Sequence, residues 1–170
     1  MKHLRSTISL LMITLLVSLS FTGCKEEKPT VIPYSNLSLE NSYEEMIEVE
    51  GESTDTSDSF YEGTTYSYPK TYLGLDGDVS YNFDADNNLC SISWMYEASS
   101  KDDVINIYNN IKDELVKSYG DSGYSTGVST NSGDVWHRDE GDIILSCVTT
   151  DSLSAISYSY LHPRVSSKHN

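Results

Sequence analysis

Along residues 101–119 apolar side chains return every three or four positions: Val104, Ile107, Tyr108, Ile111, Leu115 and Tyr119 share one face. That spacing predicts an amphipathic helix. Ser100 stands ahead of it as an N-cap, Asp102 and Asp103 occupy the first turn, and Gly120 follows the last, the residue types that satisfy or end a helix at those places. The stretch holds only about two and a half heptads, short of a coiled-coil seam. A second, shorter helix is predicted over 42–50, where Ser42 and Glu45 have capping-box spacing, Met46, Ile47 and Val49 follow, and Gly51 stops the run.

Elsewhere the period is two. Val79, Tyr81 and Phe83 alternate with Ser80 and Asn82; after the polar stretch 84–88, Cys90, Ile92, Trp94 and Tyr96 alternate with Ser91, Ser93 and Met95. This predicts a hairpin with one buried face. Tyr66, Tyr68 and Tyr72 predict a strand before it, with Pro69 ending or bending its first part.

Residues 77–96 align without a gap on 141–160, with Gly77/Gly141, Asp78/Asp142, Leu89/Leu153, Ile92/Ile156, Ser93/Ser157 and Tyr96/Tyr160 identical. Either the chain repeats a unit of helix, glycine, aromatic strand and hairpin, or alternation alone has produced the match. On the first reading Val135 to Arg138 is the aromatic strand of the second copy. The expectation is an α+β domain: an antiparallel sheet of about six strands with two helices on one face, built as a tandem helix plus β-meander repeat. The open face then carries Ser80, Asn82, Ser91, Ser93 and Met95 from one copy and Ile144, Ser146, Val148, Ala155, Ser157 and Ser159 from the other. Such a face of small side chains is either plain solvated surface or a broad docking platform.

This layout, carried by Ser42–Gly51, Gly77–Tyr96, Val104–Gly120 and Gly141–Tyr160, resembles the tandem-repeat architecture of the beta-lactamase inhibitor protein family. A single copy is similar to the SmpA/OmlA-type outer-membrane assembly lipoproteins. The resemblance implies a non-enzymatic protein-binding module. Those inhibitors are stapled by disulfides, whereas this domain holds only Cys90 and Cys147.

The N-terminus reads as an address. Lys2 and Arg5 precede the apolar run Ile8–Val17, and Phe21-Thr22-Gly23-Cys24 follows. The run is too short for a comfortable membrane span of ~20 residues, and Lys25 to Lys28 supply no stop-transfer pattern. The tetrapeptide resembles the bacterial lipobox, which implies cleavage after residue 23, diacylglyceryl and palmitoyl modification of Cys24, and an extracytoplasmic chain anchored to the cell-envelope membrane. An ordinary secretory signal with an incidental thiol is the other reading. Residues 24–41, with Pro29 and Pro33 among small polar residues, read as a tether, 42–162 as the folded domain and 163–170 as a tail. Within the domain the two copies would span about 42–97 and 101–161.

Composition then sets the partner class. The chain has 26 acidic against 11 basic residues, a formal charge of -15 and a sequence pI near 4.4. Loss of residues 1–23 would leave 147 residues with 9 basic and 26 acidic groups, a charge of -17. Such a surface opposes phosphate backbones and sets nucleic acid aside.

Candidate chemistry is sparse. Cys90 and Cys147 both fall on the predicted core face; a bridge would contribute about 4 kcal/mol in the chain-entropy model, while two buried free thiols are the favoured alternative. Asp84, Asp86 and Asn88 have the first three spacings of a calcium loop, but Leu89 replaces the turn glycine and Met95 the bidentate Glu, so a hairpin turn explains them better. His137, His162 and His169 show no zinc spacing. No metal or cofactor is expected, and no catalytic residue is assigned. The leading expectation is a surface-tethered binding or accessory module holding an envelope protein partner by the open sheet face or by tyrosines and a methionine at Tyr61, Tyr66, Tyr68, Tyr72, Met95, Tyr119 and Tyr124. The alternative is an envelope enzyme using carboxylates on a cell-wall glycan.

Overall fold

The computed structural model describes residues 31–128 and 131–166. The chain runs α1 (Tyr43–Glu50), β1 (Asp55–Asp58), β2 (Glu62–Tyr72), β3 (Leu75–Asp84), β4 (Leu89–Glu97), α2 (Lys101–Tyr119), β5 (Tyr124–Val128), β6 (Asn131–Arg138), β7 (Gly141–Thr149), β8 (Ser154–Leu161) and a short 3-10 turn, Pro163–Val165. All strands lie in one antiparallel sheet of order β1-β2-β3-β4-β8-β7-β6-β5. Each half is thus a helix followed by a four-strand meander, and the last strands of the two halves meet at the centre.

Both helices begin and end where capping chemistry directs. Ser42 Oγ accepts from Glu45 N while the Glu45 carboxylate accepts from Ser42 N, and Gly51 closes α1 at φ 84°. Ser100 Oγ accepts from Asp103 N, and Gly120 closes α2 at φ 80°. The sheet has eight strands rather than about six. The two that periodicity missed, Asp-Thr-Ser-Asp in β1 and Tyr-Ser-Thr-Gly-Val in β5, are the sheet's edges. Edge strands face water and need no alternation. Pro69 does not end β2, which pairs with β3 through Pro69↔Asp78 to Tyr72↔Leu75. Its partner β1 reaches only from Thr64 to Ser67, so Pro69 lies where one side of the strand is free.

One sheet face is closed by three pieces. α1 covers β2 and β3, with Tyr43 packed edge-on to Phe83 and Glu50 accepting from the Tyr81 hydroxyl. α2 covers β7 and β8 with Val104, Tyr108, Ile111 and Leu115. Between them runs the segment read from sequence as tether: Ile32, Tyr34, Leu37 and Leu39 are all buried in the core. The ordered domain therefore takes in residues 31–41, and the boundary drawn at 42 moves back. Tyr34 is the keystone; its hydroxyl donates to the Tyr158 carbonyl at 2.6 Å, with the Ile92 carbonyl 3.1 Å away. At the other terminus the tail is ordered through Ser166, which is buried.

The hairpin registers revise the repeat. Trp94 pairs with Tyr158 across the central β4–β8 ladder, 64 positions apart. Trp94 also pairs with Val79, and Tyr158 with Leu145. Val79 and Leu145 are 66 apart, so the gapless alignment that matches β4 with β8 is two residues out of step for β3 and β7. The longer turn at 84–88 and a bulge beside Phe83 absorb the difference.

Candidate functional site

Among the described residues no helix lies on the second sheet face. Cross-strand pairing lines its side chains into rows. The middle row runs Asp55, Ser67, Ser80, Ser93, Ser159, Ile144, Val135, Tyr124 from edge to edge. A neighbouring row runs Pro69, Asp78, Met95, Ser157, Ser146, Gly133. The centre is a strip of serines, tied by contacts such as Ser67 Oγ to Ser80 Oγ at 3.0 Å. Its β1–β3 end is acidic with Asp55, Asp76 and Asp78, and its β5–β8 end is apolar. Every open-face residue expected from sequence lies on this face.

At the apolar end Tyr124, Val135, Ile144 and Leu161 line a cavity of about 600 Å³, with Val165 of the C-terminal turn on its rim. His137 and Asp142, paired across the β6–β7 turn, close it; Nδ1 lies 2.8 Å from Oδ1. Asp142 is buried while the imidazole is one-third exposed, so the carboxylate orients the ring toward the cavity mouth. Glycine at 141 is required here: its φ is 119°, and a Cβ would stand 1.9 Å from the Leu161 carbonyl oxygen.

The predicted binding residues separate. Met95 and Tyr124 are exposed on the open face. Tyr61 lies there too, near Ser91, its hydroxyl pushed up by burial, with Phe60, 94% exposed, packed edge-on against it. Tyr66, Tyr68 and Tyr72 all lie in β2. They point to the covered face, against Phe83, Tyr81 and Trp94 respectively, and are corrected to core positions. Strand alternation places them there, since Val79 is the partner of Tyr68 and lies wholly inside. Tyr119 ends α2 half-exposed, with the Arg138 guanidinium 4.3 Å above its ring.

Cys90 and Cys147 are both buried and free. Cys147 belongs to the core cluster. Leu89 pairs with Phe83 and Ser91 with Asn82, leaving Cys90 as the bulged residue, outside that cluster, with its sulfur 3.6 Å from an Arg164 nitrogen. Cys24 and the whole signal segment lie outside the described residues. The turn 84–88 is held by Asp84, whose carboxylate accepts from Asp86 N, Asn88 N and Asn88 Nδ2. Burial opposes its ionisation, but these bonds and Arg164 win and hold it below the usual carboxylate range.

Two carboxylates are wholly inside the domain, Asp134 and Asp142. They sit on opposite sheet faces: Asp134 pairs with core Leu145, Asp142 with open-face His137. They therefore cannot flank one glycosidic bond. Asp134 is a structural node, accepting from Tyr108, from Lys112 at 2.7 Å and from Ser122 at 2.7 Å. The His137–Asp142 pair was missed from sequence because only the register of the β6–β7 hairpin, with Asp139 and Glu140 at its turn, brings two such residues together. Among the described residues no group of three or more His, Cys, Asp and Glu could hold a metal, and no helix is long and apolar enough to cross a membrane.

No protein-family model and no curated protein matches the chain. Among solved structures it is similar to a DUF4309 family protein, YjgB, from Bacillus subtilis, with 11% identity over 78% of this chain and 87% of that one and a TM-score of 0.46.

Proposed function

We propose that the chain is a lipid-anchored, extracytoplasmic binding module that holds a protein partner of the cell envelope on its open sheet face. The observation that carries this reading is the asymmetry of the sheet. One face is sealed by two helices and the segment 31–41, while the other keeps a serine strip running from an acidic edge to an apolar cavity. A ladder of small side chains admits close approach of another backbone, the cavity accepts an apolar projection, and Asp55, Asp76 and Asp78 suit a basic rim on the partner. The lipobox-like Phe21–Cys24 supports anchoring, and the matching helix-plus-meander order of the halves supports the tandem reading. Two experiments separate the parts. Labelled palmitate enters the wild type but not Cys24→Ser if the chain is anchored there. Ser93→Arg, at the centre of the strip, abolishes recovery of the crosslinked partner from intact cells without altering the melting temperature; unchanged recovery would sink the docking face.

A further inference from the structure

The last strand runs into the C-terminal turn Pro163–Val165 through His162, and both ring nitrogens of that residue are engaged. Nδ1 accepts from Arg164 N at 3.1 Å, the bond that caps the turn. Nε2 lies 3.3 Å from a Glu40 carboxylate oxygen. An imidazole nitrogen that accepts from an amide carries no hydrogen, so the neutral ring keeps its proton on Nε2 and donates it to Glu40. A second proton can then go only to Nδ1. Protonation of His162 therefore removes the acceptor that caps the turn.

The turn links the two sides of the sheet. Glu40 follows Leu39 of the segment packed on the covered face, whereas Val165 stands on the rim of the open-face cavity beside Leu161. Val165 N donates to the His162 carbonyl at 3.0 Å and Ser166 N to the Pro163 carbonyl at 3.2 Å. The Arg164 side chain ties the turn to the Leu89 carbonyl at 2.8 Å, so loss of the cap loosens the turn without detaching it.

Among the described residues the charges facing the ring are Arg164 and Glu40. Burial first, then the Arg164 charge, holds the imidazole below its ordinary value, and Glu40 pulls the other way without prevailing. Asp84, 3.7 Å from an Arg164 nitrogen, engages the guanidinium, and burial pushes the neighbouring Cys90 thiol up, which keeps it neutral. A histidine lowered in the fold supports it above the unfolded value of about 6.5, and that support is lost as pH falls through the folded value.

We propose that His162 is a pH-sensitive latch: its protonation uncaps the C-terminal turn and releases Val165 from the cavity rim. The inference stands apart from the docking reading, since the latch shapes the cavity whatever enters it.

The test follows the full chain by NMR, in non-ionic detergent, as pH is lowered through the range below about 6.5. Above that range the His162 ring is expected as the Nε2–H tautomer. On acidification the Arg164 amide resonance moves with the same midpoint as the ring, and the hydrogen-exchange protection factors of Val165 and Ser166 fall on the order of tenfold. His162→Asn supplies a capping acceptor that does not titrate, so its protection factors stay level over the same range. Glu40→Gln, at an exposed position, removes the charge that favours the imidazolium and moves the midpoint to lower pH. An equal fall in His162→Asn, a neutral ring with its proton on Nδ1, or a ring that titrates without moving the Arg164 amide overturns the proposal. So does a ring that stays neutral until the whole domain unfolds.

Discussion

Lys112 Nζ lies 2.7 Å from Asp134 Oδ2, joining α2 to β6 through a carboxylate with no solvent exposure. The same carboxylate takes the Tyr108 and Ser122 hydroxyls, so its lone pairs are satisfied from three sides. Asp134→Ala leaves these donors without their acceptor and is expected to cost about 3–5 kcal/mol in urea denaturation at neutral pH. Burial opposes the charge of Asp134, but Lys112, Tyr108 and the serines outweigh it and lower its pKa. A lowered carboxyl stabilises the fold above its unfolded value of about 4, and that contribution disappears as pH falls through the folded value. Asp134→Asn is therefore less stable at neutral pH and loses less on acidification than the wild type.

Tyr34 fills the valley between the helices, so the segment that carries it behaves as core. Tyr34→Ala is expected to destabilise by about 3–5 kcal/mol and Tyr34→Phe, which removes only the hydroxyl, by about 1 kcal/mol. A chain starting at residue 42 should fail to give a cooperative melt. A cooperative melt at the wild-type temperature would restore the tether reading.

Cys90 is buried in the β4 bulge beside Arg164, outside the core cluster that holds Cys147, and both are free, which predicts that no bridge forms in air. Mass after alkylation should be the same with and without reductant, and both thiols should react only on unfolding. Burial raises the Cys90 pKa against the pull of Arg164, which slows its alkylation further.

What sequence conveyed and what it withheld follow one rule. Helix ends depend on local hydrogen bonds, so Ser42, Glu45, Gly51, Ser100 and Gly120 were readable at once. The central hairpin strands were readable because one of their faces is dry. The edges β1 and β5 have no dry face and left no alternation to read. Tyr34 was lost because a core residue on an irregular segment has no period. A bulge then took Cys90 out of the pairing, and the two-residue difference between the hairpins put the gapless alignment out of step. Of the candidate site, the serine strip was legible as the polar half of each alternation. The cavity and its His137–Asp142 pair were not, since both need the register across strands.

Gly141 gives a sharp test of the β7–β8 junction. Gly141→Ala must meet the Leu161 carbonyl as well as adopt φ 119°, whereas Gly74→Ala, at φ 76°, meets nothing within 4 Å. The second should cost about 1–2 kcal/mol and the first clearly more, read as a difference between their thermal midpoints.

On the proposed function a partner meets the open face and not the helical face. A photo-crosslinking amino acid placed singly at Met95, Ser146 and Ser159 on the open face, and at Glu48 and Asp113 on the two helices, reads this directly in intact cells. One adduct of common mass is expected from the three open-face positions, reduced by Ile144→Glu in the cavity, and none from the helices. Adducts of that mass from Glu48 or Asp113, with none from the open face, would contradict it.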